Sequence, residues 1–283
     1  NGANIVISGD ETIVIATSGT NAAGIGGGQY GNGSDITING GTITATGGQY
    51  GAGIGGGRSG KGGTININGG TVIATCGTHG AGIGGGYNGA GGNITISGGT
   101  VIATGDNLGA GIGGGYNGAG GDVVITGGNI KAVDMGSNFS IGAGSGSSDD
   151  GTLTDGTNSI SMRTITLDGA AADTAVTEAV LPQGASYGVK DVKTLDTDKL
   201  YFYLPANTAV NTITTGTAEY ICNRNNTYYT AHGTTGYADI KETTHDVVCS
   251  LCGSVFIDNA NHQYGANDKC ACGRDKHTHM WTY

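Results

Sequence analysis

The sequence predicts an all-β protein whose larger part is a parallel β-helix, and three observations lead to that prediction. The hexapeptide Ala-Gly-Ile-Gly-Gly-Gly recurs with a period of 29 residues, and a degraded fifth copy follows at the same spacing. The central isoleucines of the five copies are Ile25, Ile54, Ile83, Ile112 and Ile141. The segments between the copies alternate apolar and polar residues with the period of two that is typical of strands. Helical periodicity is missing, and a fixed repeat of this length indicates stacked structural units.

Each repeat contains three short strands separated by Gly-Gly and Asn-Gly turns, which together make one coil. The column of residues that includes Lys131 is expected to face solvent. We expect roughly five to six coils, with neighbouring strands ~4.8 Å apart and a right-handed turn by analogy with parallel crossovers. Four apolar columns are expected to form the core, because stacked core positions vary little in size: Ile36, Ile65, Ile94 and Val123; Ile38, Ile67, Ile96 and Ile125; Ile43, Val72, Val101 and Ile130; Ala45, Ala74, Ala103 and Ala132.

Three regions follow one another along the chain. We assign residues 1–168 to the β-helix. The fifth coil is expected to carry an insertion, so that its Ile-x-Ile pair falls at Ile160 and Met162. Residues 169–242 are expected to form a small β module or a cap on the last coil, because an open coil end is a row of unpaired strand groups. Its strands are predicted at 186–192, 199–204, 212–221 and 227–231. The first coil has no recognisable cap, so we expect further chain before Asn1.

The charge distribution limits the classes of partner. The net charge is −10, and only nine charged residues occur up to and including Asp134. Nucleic acids are therefore not expected as partners, since phosphate binding requires clustered Lys and Arg. Membrane insertion is not expected either, because no apolar stretch approaches the ~18 residues of a spanning helix. A lysine-poor surface rich in Thr, Asn, Ser, Gly and Tyr predicts an extracellular or cell-wall-attached protein.

The repeats resemble those of a known group of proteins. The Gly-Ala-Gly-Ile-Gly-Gly-Gly and Gly-Gly-Thr-Val-Ile-Ala-Thr segments are similar to β-helix repeats of large secreted or wall-attached proteins of clostridia-like bacteria. They resemble more distantly a clostridial family of carbohydrate-binding β-helix proteins. The resemblance covers residues 4–168, and it implies a β-helix on a bacterial surface with a glycan as possible ligand.

The segment 243–283 carries four clustered cysteines, and it resembles the short zinc-ribbon repeats of the same kind of surface protein. A Cys-x-x-Cys turn and a second pair of thiolates can complete a tetrahedral structural zinc site. The segment has too few apolar residues for a core of its own and needs such a staple. Two disulfides are the alternative, and His245 or His262 can replace one thiolate. The predicted zinc ligands are Cys249, Cys252, Cys270 and Cys272.

A ligand site is predicted beside the glycine-rich strand. Because the isoleucine of each hexapeptide points inward, its flanking glycines are expected to point outward and to form a flat floor. Tyr87 and Tyr116 occur one repeat apart and should stack, in the same column as Arg58. Tyr50 and His79 share a column expected on the other margin of the floor. A floor with aromatic walls is typical of glycan-binding proteins; the alternative is that glycine is required for a tight corner of the coil.

Other chemistry is less well supported by the sequence. Asp106, Asp134 and Lys131 form the best candidate group for a calcium-assisted polysaccharide lyase, with solvated turn aspartates as the alternative. An acidic loop offers a possible calcium site with Asp149, Asp150 and Asp155. Cys76 and Cys222 are each isolated and are expected to be buried, unreactive thiols.

The sequence therefore favours a non-catalytic adhesion or glycan-binding module, whose expected partner is a polysaccharide or a glycan of a host or plant. A structural stalk that displays other domains is the second hypothesis. A carbohydrate-active enzyme is the third, and it has the least support because no glutamate occurs between Glu11 and Glu178.

Overall fold

The computed structural model confirms the all-β parallel β-helix with its 29-residue repeat. It describes residues 4–134, 141–180, 186–187, 192–195, 197–205, 208–224, 226–230, 235–238, 244–249 and 255–261. No helix capable of crossing a membrane is found in these ranges.

Three strands form each coil, and there are five coils followed by one strand of a sixth. The strands in chain order are β1 (Ile5–Ile7), β2 (Ile13–Thr17) and β3 (Ile25–Gly26); β4 (Asp35–Ile38), β5 (Thr42–Thr46) and β6 (Ile54–Gly55); β7 (Thr64–Ile67), β8 (Thr71–Thr75) and β9 (Ile83–Gly84); β10 (Asn93–Ile96), β11 (Thr100–Thr104) and β12 (Ile112–Gly113); β13 (Asp122–Ile125), β14 (Asn129–Val133) and β15 (Ile141–Gly142); and β16 (Thr152–Thr154).

Equivalent strands of successive coils pair in parallel and form three sheets. The first sheet runs from β1 to β16, the second from β2 to β14 and the third from β3 to β15. The register places equivalent residues side by side, for example Ile65 beside Ile94. In the middle coils each side chain therefore lies beside the equivalent side chain 29 residues away, which explains why the core columns seen in the sequence keep one size and polarity.

The predicted inward columns form the core. Ile36, Ile65 and Ile94 are completely buried, and so are Ala45, Ala74 and Ala103 in the second sheet. Full burial of one such isoleucine contributes ~1.5–3 kcal/mol relative to an exposed position, so the stacked columns are the main source of stability. Lys131 occupies an outward column, as expected, and remains half-exposed.

The end of the β-helix differs from the prediction. Leu153, in β16, pairs with Val123 and continues its core column into the sixth coil. The prediction that Ile160 and Met162 fill this role is wrong, because both lie in a strand that pairs antiparallel with residues 199–205. The loop before β16 is one residue longer than in earlier coils, since Thr152 lies beside Asp122 at a separation of 30 residues; the larger insertion follows β16.

The following strands form a second unit with two four-stranded sheets. In chain order they are β17 (Ile160–Leu167), β18 (Val176–Val180), β19 (Ser186–Tyr187), β20 (Lys199–Pro205), β21 (Thr212–Thr215), β22 (Glu219–Tyr220), β23 (Cys222–Arg224) and β24 (Thr227–Tyr229). The run predicted as one strand over 212–221 is two strands, β21 and β22, joined at a turn through Gly216. A further antiparallel sheet contains β25 (Thr235–Ala238), β26 (Thr244–Cys249) and β27 (Val255–Asn261).

Strand β20 closes the C-terminal end of the β-helix. Tyr201 and Tyr203 project from it into the core of the coils, and the Tyr203 hydroxyl donates a hydrogen bond of 3.0 Å to the carbonyl of Ile130. The opposite face of the strand carries Leu200 and Phe202 into the separate core of the second unit. One strand thus joins two cores, and the last coil is not left open.

We predict that Gly86→Ala lowers the free energy of unfolding by about 3 kcal/mol, the upper end expected for overpacking. A methyl group at Gly86 would collide with the carbonyl oxygen of Gly57 in the preceding coil. Gly28 holds the same place in the first coil and has open space beside it, so Gly28→Ala is the matched control and should be neutral. Urea unfolding followed by circular dichroism measures both; equal destabilisation by the two variants would contradict the coil-to-coil contact.

Candidate functional site

The hexapeptide strand is a tight corner rather than an open floor. Gly55 and Gly84 have φ near +131°, a conformation that favours glycine. The chain then folds back, so that the Ala52 amide donates to the Gly56 carbonyl at 3.0 Å and the Ala81 amide to Gly85 at 2.9 Å. The glycines of this strand in the middle coils are buried against neighbouring backbone. The predicted outward-facing glycine floor is therefore wrong, and the tight-corner alternative is correct.

The fold-back brings together the turns that precede and follow the corner in successive coils. The amide of Tyr87 donates to the carbonyl of Tyr50 at 2.9 Å, and the amide of Tyr116 donates to the carbonyl of His79 at 2.9 Å. Arg58 is bonded in the same way to Asn21. The two aromatic columns are thus adjacent, and do not form separate walls on opposite margins as predicted.

The five residues predicted as a ligand site form one cluster, which we call the aromatic ladder: Tyr50, Arg58, His79, Tyr87 and Tyr116. The rings of Tyr87 and Tyr116 are stacked with centroids 5.7 Å apart, which confirms the predicted stacking. Tyr50 and His79 have centroids 5.1 Å apart, and each meets Tyr87 edge-on at 5.5 Å. All five side chains are half-buried, so the cluster is a ridge on the surface and its groups can reach a ligand.

Arg58 adds a positive charge at one end of the ladder. Its guanidinium lies 5.0 Å from the centre of the Tyr50 ring and 5.8 Å from that of Tyr87. Such cation–π contacts contribute ~0.5–1 kcal/mol at exposed sites. Arg58 is half-buried, so its side chain remains in part at the surface.

The order of residues along the ladder decides which ring surfaces are accessible. Tyr87 has Arg58 on one side and Tyr116 on the other. The next position in the column is Ser145, a small and exposed residue, so the outer face of Tyr116 has no ring stacked on it among the described residues. Tyr116 is therefore the last ring of the stack, and the small residues Ser145 and Gly146 of the next coil lie beside it.

Two asparagines beside the ladder were missed by the sequence reasoning. Asn88 and Asn117 follow the two stacked tyrosines, are exposed, and have φ near +60°. The Asn117 side-chain amide donates to the Asn88 side-chain oxygen at 3.1 Å. The Tyr-Asn-Gly sequence at both places is the signal that could have revealed them, because asparagine tolerates this left-handed conformation. They add amide groups next to the rings.

Asp106, which was considered for catalysis, has a structural role. Asp106 is 9% exposed, and its carboxylate accepts hydrogen bonds from the amides of Leu108 and Gly109 at 2.9 and 3.1 Å. It therefore fixes a turn. Across the described ranges, no three His, Cys, Asp or Glu side chains gather in a group that could hold a metal ion.

The acidic loop of the fifth coil is also organised by its own backbone. The Asp149 carboxylate accepts a hydrogen bond from the Gly151 amide at 3.1 Å. The Asp155 carboxylate accepts from the amides of Asn158 and Thr157, and these bonds hold the pKa of Asp155 below its ordinary value. Calcium binding by Asp149, Asp150 and Asp155 stays a prediction.

Cys76 is a buried thiol, as expected. It is 5% exposed, and burial, assisted by the nearby negative charge of Asp106, raises its pKa to about 12. The thiolate is the reactive form of cysteine, so this side chain is unreactive at neutral pH. The Cys222 side chain lies outside the described residues.

The predicted zinc site falls almost wholly outside the described residues. Cys249 is the last residue of β26, but its side chain is not among those described. Cys252, Cys270 and Cys272 lie outside the described ranges, as does His262. The zinc site remains a prediction.

Comparison with known families agrees with the coil architecture. The family model described as Beta helix repeat matches residues 36–58, 65–87, 94–116 and 123–149. The middle coils are thus similar to the repeats of this family. Three of the matched repeats end at a ladder residue, Arg58, Tyr87 or Tyr116. Comparisons with curated proteins and with solved structures gave no match.

We predict that Cys76 resists alkylation in the native protein between pH 7 and 9 and reacts only after unfolding. Its thiol has a folded pKa of about 12 against an ordinary value of 9.0. The unfolded chain therefore ionises first, and stability falls as the pH rises from about 9 towards 12. Peptide mass spectrometry after alkylation checks the first statement. Urea unfolding of Cys76→Ala, which should lose this part of the pH dependence, checks the second.

Proposed function

We propose that the β-helix is a non-catalytic glycan-binding module that serves in adhesion, and that the aromatic ladder is its binding site. The observation that carries the proposal is the clustering of Tyr50, Arg58, His79, Tyr87 and Tyr116 into one half-exposed ridge. Ligand sites combine apolar ring surface with a few convergent polar groups, and the ladder has both.

The geometry supports one stacked sugar and several hydrogen-bonded ones. The apolar face of a pyranose would lie against the half-buried ring of Tyr116, the last ring of the stack. Further sugars would meet ring edges, the guanidinium of Arg58 and the amides of Asn88 and Asn117. Because these groups lie in successive coils, the ladder fits an extended chain better than a compact ligand.

The proposed setting is extracellular or attached to a bacterial cell wall. Few charged residues and many Thr, Asn, Ser and Tyr side chains support this setting, as does the resemblance of the repeats to surface proteins. The proposed partner is a polysaccharide or a glycan of a host or plant.

A structural stalk is the second candidate, and one observation favours it. The ladder rings contact one another, so part of their apolar surface is already covered without a ligand. Close-packed glycines and continuous parallel sheets would give a stiff rod. A polysaccharide lyase has less support, because the Asp106 carboxylate is already held by backbone amides.

For the tail we propose a closed structural zinc site. The four thiolates of Cys249, Cys252, Cys270 and Cys272 would complete a tetrahedron without an open position. Such a site stabilises a short segment and performs no chemistry of its own.

We predict that soluble polysaccharide retards the protein in affinity electrophoresis and that Tyr87→Gln combined with Tyr116→Gln weakens binding about tenfold or more. Loss of two ring contacts at ~0.5–1.5 kcal/mol each has this effect. Glutamine is the residue at the same place in the first coil, Gln29, so the variant should fold.

Tyr30→Asn is the matched control for this experiment. Tyr30 is 67% exposed, it lies beside the ladder column, and the same place in later coils holds Asn88 and Asn117. Retardation should be unchanged in this variant. If plant and mucin polysaccharides all fail to retard the native protein, the stalk becomes the better reading; if the double variant binds normally, the glycan site lies elsewhere.

We predict that native mass spectrometry of the intact chain finds one bound zinc ion and that a chelator removes it. The thiolates must be deprotonated to bind the metal, so zinc should also be released on acidification. A metal-free chain four protons lighter than the reduced mass would replace the zinc site with two disulfides.

A further inference from the structure

One outward column of the second sheet ends at a buried polar side chain. The column begins the second strand of each coil and runs through Thr42, Thr71 and Thr100 to Asn129. Thr42 is exposed, and Thr71 and Thr100 are half-buried although each has a coil on both sides. Asn129 is completely buried. Neighbouring coils do not bury this position by themselves, so chain that follows the coils covers Asn129.

The carboxamide of Asn129 has no hydrogen-bond partner among the described residues, although its oxygen and its nitrogen are both buried. The backbone of the same residue is paired in the ordinary way, since its amide donates to the Gly99 carbonyl at 2.8 Å. A buried polar group without a partner destabilises a fold, and native structures usually satisfy such a group. The side chain therefore retains a donor and an acceptor for a small polar molecule.

A cavity of about 470 Å³, which we call the junction cavity, opens beside this column between the β-helix and the second unit. Thr100, which lines it, lies next to Asn129 in the parallel register. Small-molecule sites have volumes of ~300–1,000 Å³ and often lie where two structural units meet. The wall combines two glycine turns and a threonine of the coils with a strand pair of the second unit: Gly70, Gly99, Thr100, Ala175, Val192 and Lys193.

Both walls of the junction cavity are held by backbone hydrogen bonds. On the side of the second unit, Ala175 and Lys193 form an antiparallel bridge. Next to it the Val176 amide donates to the Val192 carbonyl at 2.9 Å. The opposite wall belongs to the parallel ladder of the coils. A ligand would therefore enter a site that is already formed, and little ordering of the chain would oppose its binding.

The polar groups at the junction cavity offer donors and acceptors in balance. The Lys193 ammonium is paired with the Asp173 carboxylate at 2.8 Å, so this part of the wall carries no net charge. Such a pair at the surface is weak, and both groups can turn towards a ligand. The Asn129 carboxamide also combines both functions. Hydroxyl groups donate and accept as well, so a molecule with several hydroxyls matches this set better than an ion does.

We propose that the junction cavity binds a small neutral polyhydroxy molecule of the size of a mono- or disaccharide. Its hydroxyls would hydrogen-bond to Thr100 and Lys193 directly, and to Asn129 directly or through one water. Because the ligand would contact the β-helix and the second unit together, it would also stabilise their junction. The proposal does not rest on the aromatic ladder, which shares no residue with the cavity wall.

Isothermal titration calorimetry of the full chain with glucose, galactose, N-acetylglucosamine and cellobiose tests the proposal. At least one of these sugars should bind with a millimolar or lower dissociation constant, and glucuronic acid should bind more weakly than glucose. Ala175→Trp puts a large side chain at an exposed position of the wall and should lower the affinity about tenfold or more. Ala172→Trp makes the same change at an exposed position outside the wall and should leave the affinity unchanged.

Asn129→Leu separates a binding role from a structural one. Leucine has a similar volume and needs no hydrogen bonds, so the thermal unfolding midpoint without sugar should stay the same or rise. The affinity for the sugar should nevertheless fall about tenfold or more. A purely structural asparagine would instead lower the midpoint and leave the affinity unchanged, which would contradict the proposal.

Three further outcomes overturn the proposal. If none of the four neutral sugars binds, the cavity holds ordinary water only. If binding survives both Ala175→Trp and Asn129→Leu, the sugar lies elsewhere, and loss of that binding in Tyr87→Gln/Tyr116→Gln would place it at the aromatic ladder. Tighter binding of glucuronic acid than of glucose would contradict a neutral ligand. Conversely, binding that is lost in the cavity variants and kept in the ladder variant supports the junction cavity alone.

Discussion

The spacing between hydrogen-bonded parallel strands is the constraint on which the rest of this structure depends. Neighbouring strands lie ~4.8 Å apart, so every residue of a coil has its equivalent at that distance above and below. The residue type in a column must therefore be able to pack against copies of itself in the neighbouring coils. Isoleucine columns can stack in the core, threonine columns can stack outside, and at the corner only glycine fits, because a methyl group at most of these positions would overlap the next coil's backbone.

The same constraint determines the candidate site. The amide of Tyr87 reaches the carbonyl of Tyr50, which lies 37 residues earlier and one coil away, because the corner folds the following turn back towards the preceding one. Two columns that are distant within a coil thus become neighbours between coils. The aromatic ladder is a result of backbone geometry, and its side chains add chemistry to an arrangement that the glycines create.

Much of the fold could be predicted because the repeat provides internal comparison. Columns such as Ile36, Ile65 and Ile94 identify the inward face without a structure, and Tyr87 stacking on Tyr116 follows from the period alone. The direction of the hexapeptide glycines was predicted wrongly. A period-two alternation assumes an extended strand, whereas the φ angles of +131° at Gly55 and Gly84 bend the chain into a corner. The prediction for the end of the β-helix was wrong for a related reason. Ile160 and Leu153 both stand in an alternating apolar pattern, and only their pairing shows that Leu153 belongs to the coil whereas Ile160 pairs with β20.

The ladder's composition changes from coil to coil while its backbone stays the same, as the column from Gln29 through Arg58, Tyr87 and Tyr116 to Ser145 shows. Duplication of one 29-residue unit would lengthen the ladder by one rung and leave every existing contact type in place. Point changes within a rung would alter its surface chemistry without disturbing the core. Such a protein can evolve the length of its surface and the chemistry of that surface independently.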